Sequence, residues 1–219
     1  MRFSPTAAIQ YCWDTFKKRP WFFVGAVAIL LAANFLNIGV TSGVNSLTGG
    51  TLEEPTIVSN VVNLALSALI VIGAVAFFLA AHDDPDGVAY AALWHPSSYW
   101  KFFTTSLLTS LAVGLGLVLL IVPGLIAMVL FLFAGFLVVD RDMGPLEALQ
   151  TSMAMTKGNR WPLFGFVVLT MLILALGVLA LGLGLIVAVP LVGLATAYAY
   201  RLLSGGPDDA VAADARLAA

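Results

Sequence analysis

The sequence predicts an all-α fold, a polytopic membrane helical bundle of about six transmembrane helices with interfacial amphipathic helices between them. Three observations predict it. Hydrophobic residues make up 61% of the chain and charged residues 10%, whereas a soluble domain has about 45–50% apolar and about 25% charged residues. The apolar residues fall in uncharged runs long enough to cross a bilayer. All ten lysines and arginines fall on one side of a six-span threading. A soluble domain is thereby excluded.

At 219 residues the chain has the size of one compact bundle. Two separate domains would leave neither with enough helices to build an interior. The net charge of −2 is small, and the basic residues lie in short clusters beside apolar spans, where lipid headgroups rather than nucleic acid are the expected partner. Cys12 is the sole cysteine, which rules out an intramolecular disulfide, a CxxC redox pair or a cysteine zinc site. No cofactor or metal is expected.

Residues 1–203 read as one membrane domain with spans at about 21–44, 57–81, 102–122, 125–139, 163–181 and 185–203. Ser4-Pro5 opens an interfacial helix in which Ala8, Ile9, Cys12, Trp13 and Phe16 fall near helical spacing, and Lys17-Lys18-Arg19-Pro20 stops it. The late basic run, followed by a long span, does not fit a cleavable signal, so residues 1–20 are expected to stay. Trp21 to Val44 carries no charge, and about 24 residues at 1.5 Å each exceed a ~30 Å hydrocarbon core. A polar turn with Gly49-Gly50 follows, then a second uncharged run from Thr56 to Ala81. His82 to Tyr99 reads as an aqueous or interfacial loop flanking a short aromatic helix.

Phe102 to Val139 is uncharged over about 38 residues, too long for one straight span, and Pro123-Gly124 sits where a turn is needed. The second helix of this pair, 125–139, is short, which leaves a re-entrant segment open. Gly144-Pro145 opens a surface helix with Leu146, Leu149 and Met153 on one face, Glu147 near its start and Gly158 as its stop. Two last spans follow, with Gly182-Leu183-Gly184 at their turn and Pro190 inside the final helix. Residues 204–219 read as a disordered cytoplasmic tail.

Six spans with the N-terminus inside put Arg2, Lys17, Lys18, Arg19, Lys101, Arg141, Lys157, Arg160, Arg201 and Arg216 in the cytoplasm, while the opposite turns carry no basic residue. The expected place is therefore the inner (plasma) membrane, with both ends cytoplasmic. Trp13 to Trp21, Trp94 to Phe103 and Met155 to Pro162 each set an aromatic-basic anchor before a helical hairpin. This admits three parallel hairpin repeats, although interface chemistry alone selects the same residue types.

Asn34 and Asn37 in the first span, and Asn60 and Asn63 in the second, are each spaced i, i+3 at comparable depth. They form either a polar intramembrane site or a set of interhelical hydrogen bonds. Apart from Arg201 at the very end of the last one, no Asp, Glu, Lys, Arg or His lies inside an assigned span, which disfavours an ion-coupled carrier. His82, Asp83, Asp84, Asp86 and His95 share one loop, and His95 has Ser97 and Ser98 beside it. The calcium-loop and Ser-His templates both fail there, so a solvated turn is expected. The clusters Lys17-Lys18-Arg19, Trp100-Lys101 and Lys157-Arg160-Trp161 are either plain interfacial anchors or contacts for anionic lipid headgroups.

Val122-Pro123-Gly124, Gly144-Pro145-Leu146-Glu147-Ala148-Leu149, Ser152, Thr156-Lys157-Gly158-Asn159-Arg160-Trp161 and Phe164 together carry a likeness. Over about residues 100–203 the chain resembles the membrane domain found with glycerophosphoryl diester phosphodiesterases and related uncharacterised bacterial membrane proteins. The resemblance implies a fold and a compartment. In that family a soluble barrel of ~250 residues may be attached, whereas about 16 residues follow the last span here. The expectation is a non-catalytic module of membrane or envelope homeostasis, contacting membrane lipids, anionic phospholipid among them, or a membrane-protein partner. A small-solute permease is the alternative reading, and an intramembrane enzyme the third.

Overall fold

A computed structural model describes residues 5–51, 54–94, 99–119, 121–180 and 184–205. Among the described residues the regular structure is all helical, with six segments long and apolar enough to cross a membrane. A surface helix α1 (Pro5–Lys18) leads into the hairpin of α2 (Pro20–Leu47) and α3 (Ile57–Asp83). A 3₁₀ turn at Tyr90–Leu93 precedes α4 (Tyr99–Leu119), which folds back on α5 (Ile121–Leu130) and α6 (Ala134–Arg141). The short α7 (Pro145–Met155) then precedes the hairpin of α8 (Arg160–Leu179) and α9 (Leu185–Ser204). A short helix followed by a returning helical pair thus occurs three times in the element order.

Proline, threonine and glycine account for four of the boundaries. Pro20 and Pro145 occupy first helical positions, where a missing N–H costs nothing. Thr56 caps α3, its hydroxyl accepting the Ser59 N–H at 3.3 Å. Gly158, at φ +91°, takes the left-handed conformation that ends the α7 segment. The packing centres on α9, which touches α1, α2, α3 and α8. Its inward side chains include Leu194, Ala195, Tyr198 and Tyr200, and small Ala197 and Ala199 let neighbouring backbones come close. Pro190 lies buried inside α9. On α1, Ala8, Cys12 and Phe16 face inward as their spacing predicts.

Several boundaries differ from the sequence reading. The expected span 125–139 is not one helix. Its membrane segment runs from Pro123 to Arg141 and breaks at Phe131–Phe133, where hydrogen bonds of i to i+3 type replace the helical pattern. The turn expected at Pro123-Gly124 also moves, because α5 has already begun at Ile121 and proline is tolerated in a first helical turn. Close approach of Gly116 to Gly124 seals this hairpin, since a Cβ on Gly116 would sit 2.8 Å from the Gly124 Cα. The first span is longer than expected at both ends, Pro20–Leu47, and α3 continues through His82 to Asp83. Ser4, His95, Ser97, Ser98, Gly182 and the tail from 206 lie outside the described residues.

The first hairpin stands apart from the rest. Its helices have 28 and 27 residues, about 42 and 40 Å of axis, whereas α8 and α9 with 20 each span about 30 Å. Apolar burial on α2 stops at Val27, and beyond it only Asn37 and Asn45 are buried.

Candidate functional site

Ion pairs and hydrogen bonds draw the starts of α2 and α4 and the ends of α3, α6 and α9 to one end of the bundle. Arg19 donates to the carbonyls of Pro85 and Asp86 at 3.1 and 2.8 Å and lies 4.2 Å over the Phe22 ring. Lys101 pairs with the Asp142 carboxylate at 2.6 Å and donates to its carbonyl at 2.8 Å. Asp142 holds a left-handed φ of 51° at the end of α6. Arg201 bridges Asp83 and Asp140, with contacts at 2.6 and 2.9 Å, and Tyr200 donates to Asp140 at 2.7 Å. Arg141 donates to the Ser204 carbonyl. The sequence reading missed this network, because its acidic and basic members are far apart in the chain.

The cations proposed for headgroup contact therefore divide into two groups. Lys17 pairs with Asp14 at 3.1 Å, and Arg19 and Lys101 are held within the protein as above. The side chains of Lys18, Lys157 and Arg160 have no hydrogen bond or ion pair among the described residues. All five tryptophans, Trp13, Trp21, Trp94, Trp100 and Trp161, are between 43% and 84% exposed. By contrast Phe23, Phe77, Phe133 and Phe166 are fully buried. Exposed indoles on elements at the end that carries the cations match the residue pattern of the aromatic belts found at membrane–water boundaries.

Beside Arg160 and Trp161 a groove opens between α5 and α8. Its other walls are Leu125, Ile126, Val129, Leu130 and Phe164, and it encloses about 440 Å³. At its edge the helix break is made good by Ser152 of α7. The fully buried Ser152 hydroxyl donates to the Leu130 carbonyl at 2.7 Å and accepts the Phe133 N–H at 3.3 Å. Apolar membrane surroundings leave no other partner for such groups. The inward face of α7 is accordingly Ala148 and Ser152, while Leu146 points outward at 67% exposure.

Of the four asparagines, the fold joins two. Asn37 donates to Asn63 Oδ1 at 3.0 Å and to Ser67 Oγ at 3.1 Å, and accepts from Thr41 at 3.2 Å. Asn34 turns back to its own helix and donates to the Leu30 carbonyl, and Asn60 is exposed. A second polar layer, at Asn45, went unnoticed in the sequence. Asn45 donates to the Thr51 carbonyl at 2.8 Å and accepts from Thr56 N and Ser59 Oγ at 2.9 and 3.0 Å, which clasps the far end of the hairpin. Taking Trp21 as the near headgroup level, Asn37 lies about 24 Å along a straight axis and Asn45 about 36 Å. The layers therefore fall toward and beyond the far side of a ~30 Å core, not at its midplane. A polar hollow of about 360 Å³ lies there, lined by Thr41, Ser42, Ser46 and Thr51 among others.

The acidic loop does not assemble a metal site: among the described residues no group of three or more His, Cys, Asp or Glu converges. Asp83 goes to Arg201, and Asp84 accepts the Gly87 N–H at 3.0 Å as a turn residue.

Comparison with known proteins places residues 15–218 in a domain of unknown function, DUF7847. The chain belongs to this family. It is 26% identical over 230 residues to Uncharacterized protein Rv2560 of Mycobacterium tuberculosis, covering 93% of this chain and 70% of that protein. The same figures hold for Uncharacterized protein Mb2590 of Mycobacterium bovis. These matches agree with the likeness to uncharacterised bacterial membrane proteins, and the matching family is DUF7847 rather than the phosphodiesterase-associated membrane domain. No solved structure matches the chain.

Proposed function

We propose that this member of the DUF7847 family is a lipid-contacting scaffold of a bacterial inner membrane, with its basic end cytoplasmic, that gathers anionic phospholipid and does not itself catalyse a reaction. The carrying observation is the division of cations. Of the eight described cations five, Lys17, Arg19, Lys101, Arg141 and Arg201, serve the protein's own fold, whereas Lys157 and Arg160 remain uncommitted among the described residues, next to an indole that is 84% exposed. Basic residues at an anionic surface contribute about 1 kcal/mol each. The likeness of residues 100–203 to the phosphodiesterase-associated membrane domain belongs to the same proposal and contributes a fold and a compartment, without an activity.

Changing Lys157 and Arg160 together to glutamine keeps length and hydrogen bonding but removes both charges. Retention of anionic lipid by the purified protein in native mass spectra is expected to fall about tenfold or more. Unchanged retention overturns the proposal. The alternative, a small-solute permease, rests on the polar hollow of the first hairpin. The mutual hydrogen bonding of Asn37, Asn63, Ser67 and Thr41 favours the scaffold, because those groups are occupied in holding two helices together.

A further inference from the structure

The groove between α5 and α8 has two chemical halves. Leu125, Ile126, Val129 and Phe164 offer hydrocarbon, and Arg160 stands at the rim with no anion of the protein against it among the described residues. The Leu130 carbonyl beside the helix break is already taken by Ser152, so the apolar wall carries no unmet backbone acceptor there. At about 440 Å³ the space lies within the ~300–1,000 Å³ of small-ligand sites.

The possible occupants differ in what they satisfy. A free anion would leave the hydrocarbon wall unused, and a neutral lipid would leave Arg160 without a counter-charge. A helix of a partner protein, about 10 Å across, is poorly matched to a groove that follows α5 only from Leu125 to Leu130, a rise of about 7.5 Å. An anionic head joined to a hydrocarbon chain satisfies both halves. We propose that the groove seats one acyl chain of an anionic diacyl phospholipid, with the phosphate against Arg160, Lys157 on the adjoining turn, and the Trp161 indole at glycerol level. This rests on the lipid-contacting reading and adds to it a bound chain, so that the lipid is a ligand with a defined seat rather than part of a diffuse counter-ion layer.

The test uses the full chain purified in detergent and native mass spectrometry with two probes, dioleoyl phosphatidylglycerol and the chain-free headgroup glycerophosphoglycerol. The lipid should be retained at least about tenfold better than the headgroup alone. Ile126→Trp fills the groove from a half-exposed position and leaves Lys157 and Arg160 in place. It should lower lipid retention about tenfold. In wild-type protein reconstituted into phosphatidylcholine vesicles with a minority of phosphatidylglycerol bearing a diazirine in its chain, crosslinks should concentrate on residues 125–130 and 161–164. Equal retention of lipid and headgroup, undiminished retention by Ile126→Trp, or crosslinks spread evenly to faces such as Phe35 and Leu36 would each overturn the seat. If retention falls only when Lys157 and Arg160 are changed, the surface reading stands and the groove does not. If neither variant lowers retention, both fail.

Discussion

Asn37 shows why polar side chains occur in an apolar hairpin: an amide among lipid tails gains from any partner, and here it finds Asn63, Ser67 and Thr41. Such contacts in membrane helices are worth about 0.6 kcal/mol each, at most about 2. Asn37→Leu with Asn63→Leu should therefore cost on the order of 1 kcal/mol in thermal or denaturant unfolding and leave solute flux in proteoliposomes unchanged. A lost flux without lost stability would favour the permease. The pairing was half legible, since the i, i+3 spacing marked all four asparagines while only the packing of α2 on α3 could say which two meet. Cys12 gives a second test at this scale. It is fully buried, and burial pushes its thiol well above the ordinary cysteine range. A proton retained in the folded state but lost from the unfolded chain above about pH 8.5 makes stability fall as pH rises past that point. The folded protein should accordingly resist maleimide at pH 8 and react only after denaturation; rapid labelling of the native protein would contradict the burial.

Among the elements, the interrupted fourth span is the least expected. Phe131, Leu132 and Phe133 contain neither proline nor glycine, so no local signal announces a break. The backbone groups freed there are met by a residue on another helix, Ser152, and the sequence displayed that serine only as part of a family likeness. Removing its hydroxyl with Ser152→Ala should strand the Leu130 carbonyl and the Phe133 N–H, at a cost of about 1–3 kcal/mol. Thermal unfolding of the variant measures this, and a loss under a few tenths would mean that the break does not depend on α7. Proline- and glycine-marked ends were readable, as Pro20, Pro145 and Gly158 show, because there the backbone chemistry of one residue decides the outcome.

The molecule as a whole was legible where composition and charge act over long stretches. Six apolar segments, α1 as a surface helix and a basic end follow from runs of residue types that lipid and water sort independently of packing. Contacts between distant segments were not legible: the Asp83–Arg201–Asp140 bridge and the α5–α8 groove arise from how hairpins settle around α9. That arrangement puts the uncommitted cations and the exposed tryptophans at one end, and the lipid reading requires this end to face the cytoplasm. Labelling with an impermeant maleimide tests it. Gly50 is a poor probe position, because a Cβ there collides with the Asn45 side chain that clasps the hairpin. Glu54 and Asp86 are exposed at opposite ends of α3. Glu54→Cys is expected to react in intact cells and Asp86→Cys only after lysis; labelling of Asp86→Cys from outside, with Glu54→Cys protected, would contradict a cytoplasmic basic end.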